Sequence, residues 1–364
     1  MIIQMLSTRT AEGHRERFEW AVSLLSAWWV AGLYLDGWAH IHLLPESFFT
    51  PWHAMIYTGI LATALVLAIA ARRARKRGAR WLAALPEGYG LSLVGVAAFL
   101  AAGVADMAWH LALGIEADLE ALYSPPHLLL AASGLLIVTG PLRASWHRPE
   151  RGAAMLWRAV LSSTLLLAIL AFFTSESHPI THPWAATRFR PAALSTTALG
   201  LPTPPLGGLG VRELIEMLGI SGVIIQSALL MALVLLLVLR WGSQLPFGWL
   251  TLLLGGSALG ASILHSTHWV SLPAIFTGVV ADSVYRLLKP EPARVGVMRL
   301  FAAGLPILLY ASYFVVLIIG GGIWWPLTIW AGSLLVAGAV GLLVSYVVVA
   351  PTFPLRTGPQ GHRV

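Results

Sequence analysis

The stretch RELIEMLGISGVIIQSALLMALVLLLVL, residues 212–239, decides what class of protein this is. After Glu216 it contains no charged residue, and a membrane-spanning helix needs about 20 mostly apolar residues. The whole chain has the same character: 57% of its 364 residues are hydrophobic, 11% are charged and the mean hydropathy is +0.77. Soluble domains carry about 25% charged residues, and disordered chains are poor in hydrophobic ones. The composition therefore excludes both classes.

Nine further stretches are long and apolar enough to span a lipid bilayer. We therefore predict an all-α, polytopic integral membrane protein with about ten transmembrane helices. The predicted spans are 18–42, 51–71, 89–113, 126–142, 153–174, 212–239, 246–265, 270–288, 297–320 and 325–350. They divide the chain into a five-span half at 1–175, an outer Pro/Gly-rich loop at 176–211, and a second five-span half at 212–364.

The basic residues predict the orientation of these spans. About 20 of the 23 Lys and Arg residues fall in the two termini and in the loops on the same side, such as RRARKRGAR at 72–80. Cytoplasmic loops of membrane proteins carry such an excess, so both termini are predicted to be cytoplasmic. The net charge of +7 is thereby explained by topology, and no nucleic-acid partner is expected.

Two polar segments in the first four predicted spans follow the same pattern. They read DGWAHIHLLPESFFTPWHAMIYTG at 36–59 and DMAWHLALGIEADLEALYSPPHLLLAASG at 106–134. In each, an Asp is followed four residues later by a His, and the next helix starts with Thr/Ser-Pro-x-His after a short outer loop. We interpret this as an internal duplication of a helical hairpin with the same orientation in both copies.

This pattern has a chemical consequence. Residues at i and i+4 share a helix face, and Pro suits the first turn of a helix, so each hairpin can direct one carboxylate and two imidazoles at one point. Two nitrogens and one oxygen suit copper, zinc or iron, and the absence of Cys excludes thiolate and iron–sulfur sites. The alternative is a plain Asp–His hydrogen bond. The predicted ligands, near the outer face, are Asp36, His40 and His53, with Asp106, His110 and His127 for a second metal or completing the first.

Other polar residues near the predicted outer face are secondary candidates: His42, Glu120, His178, His182, His265 and His268. His265 and His268 are spaced to share a helix face and to form another site or complete the first. His178 and His182 are candidates for shuttling protons or recruiting metal. A deeper acidic residue, Asp282, is expected to form an intramembrane ion pair with Arg286 at i+4.

The pattern Asp-x3-His-x12-His of Asp36, His40 and His53 resembles the metal site in the C subunit of the particulate methane and ammonia monooxygenases. The resemblance covers three residues, and the last spacing is four residues longer in the second copy. It implies copper bound within the membrane and the oxidation of small apolar molecules with O2.

These observations predict a membrane metalloprotein, a copper-dependent oxidoreductase acting on a small apolar or lipid-like substrate, with zinc and iron as the other metals considered. Such an enzyme would need an electron donor or partner subunits. The alternatives are a cation or metal transporter, or another metal-handling membrane protein, and a membrane zinc hydrolase with a general acid or base such as Glu120.

Overall fold

The computed structural model describes residues 2–44, 50–76, 85–114, 118–148, 152–191 and 210–349. Within these ranges the chain is helical, and its only β-type pairing is an isolated bridge between Ala186 and Ile323. The α-helices are α1 Ile2–Ile41, α2 Pro51–Arg75, α3 Gly90–Leu113, α4 Asp118–Tyr123, α5 Pro125–Val138, α6 Gly140–Trp146, α7 Ala153–Phe173, α8 Val211–Trp241, α9 Trp249–Leu264, α10 Leu272–Leu288, α11 Val295–Ile319 and α12 Leu327–Val348.

Nine helical segments of the described chain are long and apolar enough to cross a membrane, with α5 and α6 together forming one of them. This confirms the prediction of an all-α polytopic membrane protein. The helix that falls short is α9, which has 16 residues where the sequence predicted a span at 246–265. A helix of this length covers about 24 Å, less than the hydrocarbon core of roughly 30 Å.

The shortness of α9 is tolerated because the helix lies inside the bundle. It packs against α7 and α10, and residues along its whole length, from Trp249 to Leu264, are buried. Its ends are bonded to protein groups. The Leu250 and Thr251 amides donate to Asp282, and the Ala261 and Ser262 carbonyls accept from the Thr181 hydroxyl and the Thr267 amide. This is the condition under which a bilayer-spanning protein can contain an interrupted helix.

The prediction of an ion pair between Asp282 and Arg286 is wrong, because the Asp282 carboxylate instead accepts hydrogen bonds from the start of α9. Its Oδ1 accepts from the Leu250 amide at 3.1 Å, and its Oδ2 accepts from the Thr251 amide at 3.0 Å and the Thr251 hydroxyl at 2.6 Å. The first amides of a helix have no partner within the helix, and they carry partial positive charge. Arg286 donates to the Leu245 carbonyl at 3.5 Å.

Two apolar cores meet at α7. One core joins α1, α2, α3 and α5 to one side of α7, and the other joins α7 to the helices from α8 to α12. Within the first core, α1 pairs with α2 and α3 pairs with α5 as two helical hairpins. We call the end of the bundle at which α1 leads into α2, and α3 into α5, the site end.

Candidate metal centre

The first Asp/His/His group lies between the end of α1 and the start of α2. Asp36 faces both histidines: its Oδ1 is 3.0 Å from the Nε2 of His53, and its Oδ2 is 3.7 Å from the Nε2 of His40. The two imidazole rings stand 6.3 Å apart at 67°. One potential ligand atom from each residue lies within 4.8 Å of the others. A single ion could therefore contact all three side chains.

Local sequence explains how these residues meet. Asp36 and His40 occupy one face of the last turns of α1. At the start of α2, the Thr50 hydroxyl accepts from the backbone N–H of His53 at 3.3 Å, and Pro51 occupies the first helical position. This cap fixes the direction of the helix that carries His53.

Two glycines bring α1 and α2 together: Gly32, and Gly59, with which the first of the two repeated segments ends. A Cβ added at Gly59 would lie 2.7 Å from the Cβ of Trp29, and one added at Gly32 would lie 2.9 Å from the Ile56 nitrogen. Close approach of membrane helices depends on such small residues. Both glycines can be read in the sequence, but glycines are common along the whole chain, so the sequence does not indicate which of them lie at a helix contact.

The second group lies between α3 and α5 and has a different arrangement. One oxygen, Oδ1 of Asp106, lies 3.5 Å from the Nε2 of His110 and 3.3 Å from the Nε2 of His127. The rings are 5.8 Å apart at 57°. Asp106 is buried, whereas Asp36 is only partly so. The ligand atoms of this group also lie within 4.8 Å of one another.

The second nitrogen of each imidazole in this group is held by a neighbouring polar group. The Nδ1 of His110 donates to the Gly114 carbonyl at 3.1 Å, since a carbonyl can only accept. The Nδ1 of His127 is 2.8 Å from the Ser124 hydroxyl. Both imidazoles therefore direct their Nε2 at the same carboxylate oxygen.

The six predicted ligands thus form two separate groups rather than one, in the part of the chain that the structure describes. Tyr57 links them. Its ring stacks on that of His53, at 5.8 Å and 15°, and its hydroxyl is within electrostatic reach of both Asp36 and Asp106. Tyr57 is one helical turn after His53, a spacing from which the sequence could have predicted it.

Three of the secondary candidates lie outside both groups, within the described residues. His42 bonds through Nδ1 to the Trp38 carbonyl at 2.8 Å and packs on the Trp38 ring. Glu120 is exposed on α4, and His268 is exposed in a short 3-10 helix. The prediction that His265 and His268 share a helix face is wrong, because α9 ends at Leu264, before both residues.

The remaining secondary candidates lie in or beside the segment 174–191, which follows α7. His178 is buried, and its Nδ1 accepts from the Ile180 amide at 3.1 Å. The ring of His182 lies 4.2 Å from that of His265 and stacks on Trp184. Burial lowers the pKa of His178 to about 4 and, with the nearby His265 and Arg188, that of His182 to about 3.

Residues 176–191 of the same segment belong to the loop predicted at 176–211. Trp184 and Ala185 are buried, and Trp324 donates to both of their carbonyls, at 2.7 and 3.0 Å. The segment is therefore packed onto the bundle along this stretch. Residues 192–209 of the predicted loop lie outside the described residues.

Comparison with protein-family models, with curated proteins and with solved structures gave no match. Functional inference consequently depends on the geometry of the two groups.

Proposed function

We propose that this chain is a membrane metalloprotein in which each Asp/His/His group binds one transition metal ion, and that it is a copper-dependent oxidoreductase. The two groups are compatible with transition metals of several kinds. Copper is proposed because two imidazoles and one carboxylate suit it, and because copper is the divalent ion that such ligands bind most tightly. Bound copper would supply one-electron redox chemistry.

The observation that carries the proposal is the convergence of three ligands in each group, whose ligand atoms lie within 4.8 Å of one another. In the second group the Nδ1 of His110 donates to Gly114, which turns its Nε2 towards Asp106 Oδ1, 3.5 Å away. A histidine that donates its other N–H to a backbone carbonyl is the usual arrangement at metal sites.

The surroundings support an apolar or lipid-like substrate. Beyond Asp106 and His110, the end of α3 presents Leu111 and Leu113 outward, with 80% and 67% of their surfaces exposed. In a membrane such side chains face lipid, so an apolar molecule can approach the second group from the bilayer. On this proposal the imidazoles and carboxylates bind the metal, and an external donor or partner subunit supplies electrons.

The other functions considered differ in what they require. A transporter needs polar residues that continue through the membrane, but the buried acidic residue of α1, Glu19, is already paired with Arg148 and Arg158. A zinc hydrolase needs a general acid or base near the metal, and Glu120 is exposed and belongs to neither group.

Metal content tests the proposal directly. Protein purified in detergent without chelator would be analysed by mass spectrometry for metals, together with His40→Ala, His110→Ala and the double variant. We expect about two copper ions per chain, about one in each single variant and none in the double. His147→Ala is the matched control, since His147 is exposed and its ion-pair partner among the described residues is Glu87, at 3.7 Å.

Redox activity needs its own measurement. The copper(II) paramagnetic resonance signal should show coupling to nitrogen and should disappear on addition of a reductant. Absence of stoichiometric metal, or unchanged metal in the double variant, would overturn the whole proposal. Stoichiometric zinc that depends on the same residues would overturn the oxidoreductase and favour the hydrolase.

A further inference from the structure

A pair of imidazoles that belongs to neither Asp/His/His group lies at the site end, where the segment 174–191 meets the residue that follows α9. The ring centroids of His182 and His265 are 4.2 Å apart, and the ring planes are inclined at 55°. Both residues are partly buried. Imidazole is a preferred ligand of copper, zinc, iron and nickel, so two of them in contact offer the start of a transition-metal site.

One nitrogen of this pair lacks a hydrogen-bond partner. The Nε2 of His182 is buried and makes no hydrogen bond within the part of the chain that the structure describes. The Oε2 of Glu176 lies 3.7 Å from it, which is too far for a hydrogen bond. Metal–nitrogen and metal–oxygen bonds of about 2 Å each would span this separation. A bound ion is one of the partners that such a buried polar atom requires.

Both imidazoles are neutral at pH 7, which is the form that binds a metal ion. Burial, together with the nearby His265 and Arg188, lowers the pKa of His182 to about 3. Burial, with His42 and Arg188 nearby, also lowers the pKa of His265. Protons therefore compete little with a metal ion for these nitrogens at neutral pH.

The surroundings make this pair a weaker metal site than the two Asp/His/His groups. Among the described residues, those two groups are the sets in which three ligand atoms all lie within 4.8 Å, and neither set includes this pair. The guanidinium of Arg188 is within electrostatic reach of both imidazoles and repels a cation. A site that takes up an ion and passes it on has to be weak enough to release it.

The pair also lies next to the first Asp/His/His group. The residues on either side of His265 contact the end of α1. The Ser266 hydroxyl accepts from the Trp38 indole nitrogen at 3.3 Å, and a Cβ added at Gly37 would lie 2.9 Å from Cδ2 of Leu264. Gly37 and Trp38 directly follow the aspartate of the first group in sequence. An ion held by the pair is therefore close to that group.

We propose that His182, His265 and Glu176 form a third transition-metal site, at which a copper ion binds reversibly before it enters the first Asp/His/His group. The two imidazoles are the main ligands, and the Glu176 carboxylate, whose side chain is 44% exposed, approaches the ion from the solvent side. The loading role depends on the function proposed above, whereas metal binding by the pair does not.

Binding is tested in the His40→Ala/His110→Ala variant, which lacks one ligand in each Asp/His/His group. Metal-free protein without an affinity tag would be titrated with Cu²⁺ in a calorimeter. We expect one ion per chain, bound too weakly to survive purification. His265→Phe keeps a ring but removes the ligand, and should weaken this binding at least about 10-fold, because even a hydrogen bond to a ligand is usually worth that much. His182→Phe is the second variant if the first does not fold, and His268→Phe, at an exposed position three residues later, is the matched control.

Loading is tested by a rate. The His110→Ala variant keeps only the first group intact, and His40→Ala keeps only the second. Adding His265→Phe should slow copper uptake by the first group in line with the lost affinity, about 10-fold or more, without changing its final copper content. Uptake by the second group should not change. Stopped-flow quenching of tryptophan fluorescence by Cu²⁺ would measure both rates.

Unchanged Cu²⁺ binding in His265→Phe and His182→Phe would overturn the third site, whatever the two Asp/His/His groups bind. An unchanged uptake rate at the first group would overturn the loading role. One weakly bound ion that depends on His265, in a protein whose Asp/His/His groups hold no metal, would support the site while overturning the function proposed above.

Discussion

The imidazole of His110 donates its Nδ1 hydrogen to the carbonyl oxygen of Gly114, 3.1 Å away, in the last turn of α3. This bond fixes the orientation of the ring, so that its Nε2 faces Asp106 Oδ1 at 3.5 Å. A histidine whose other ring N–H donates to a backbone carbonyl is the usual arrangement at metal sites.

The Ser124 hydroxyl should tune metal affinity at the second group, because it holds the Nδ1 of His127 at 2.8 Å. Ser124→Ala should weaken metal binding there about 10- to 100-fold, the usual effect of losing such a partner. Competition with a chelator of known affinity would measure it. The first group should be unchanged, and Ser283→Ala, on the exposed face of α10, is the control. Equal loss at both groups would argue for general unfolding instead.

The close contact at Gly59 should be required for the first hairpin. Gly59→Ala places a Cβ 2.7 Å from Trp29 Cβ, so we expect a loss of about 1–3 kcal/mol in the free energy of unfolding and weaker metal binding by His53. Gly103→Ala is the matched control, because it is also a helical glycine but its Cβ would meet nothing within 4 Å. There alanine should stabilise the helix by up to about 1 kcal/mol. Unfolding in mixed detergent measures both, and the same sign for the two variants would contradict the packing argument.

Asp282 should matter for stability much more than Arg286 does. Asp282→Ala removes three hydrogen bonds to the start of α9 and leaves two buried amides without an acceptor, so about 2–4 kcal/mol should be lost. Arg286→Ala should cost less than about 1 kcal/mol, since within the described residues its side chain makes a single hydrogen bond, a 3.5 Å contact with the Leu245 carbonyl. Detergent-induced unfolding would measure the free energy of unfolding of both variants. Equal losses for Asp282→Ala and Arg286→Ala would indicate that the two residues form the ion pair after all.

The buried histidines of the segment 174–191 should make the fold sensitive to acid. His178 and His182 have pKa values of about 4 and 3, whereas unfolded histidines titrate near 6.5. Between those values the unfolded chain binds more protons than the folded chain does. The free energy of unfolding contributed by these two histidines is therefore fully present above about pH 6.5 and decreases as the pH falls.

His178→Gln should reduce the slope of stability against pH below 6.5 by up to about 1.4 kcal/mol per pH unit. Thermal unfolding of metal-free protein from pH 7.5 to 4.5 would measure it. The control is His147→Gln, which changes an exposed residue. If wild type and His178→Gln share one slope, the buried neutral histidine is not the cause.

Two properties of this protein follow from the sequence alone. The apolar stretches predict the spanning helices, because the bilayer sets their length and composition. The pairing of Asp36 with His40 and of Asp106 with His110 is equally local, since the helical repeat places i and i+4 on one face. The proline-led helix starts then bring His53 and His127 back to the same end. Whether the hairpins arose by duplication, and whether residues 1–175 and 212–364 act as separate halves, stay predictions.

Other properties depend on which helices pack together. Asp282 has Arg286 one turn away, but it binds the start of α9, 31 and 32 residues distant in sequence, because packing brings unpaired amides to it. Tyr57 stacks on His53 of the first group, and the packing of α2 beside α3 also brings it within electrostatic reach of Asp106 in the second. A cavity of about 40 Å³ lies where side chains of five helices, α7 to α11, and of the segment 174–191 meet. Local spacing determines which side chains share a face, whereas only tertiary packing decides what that face meets.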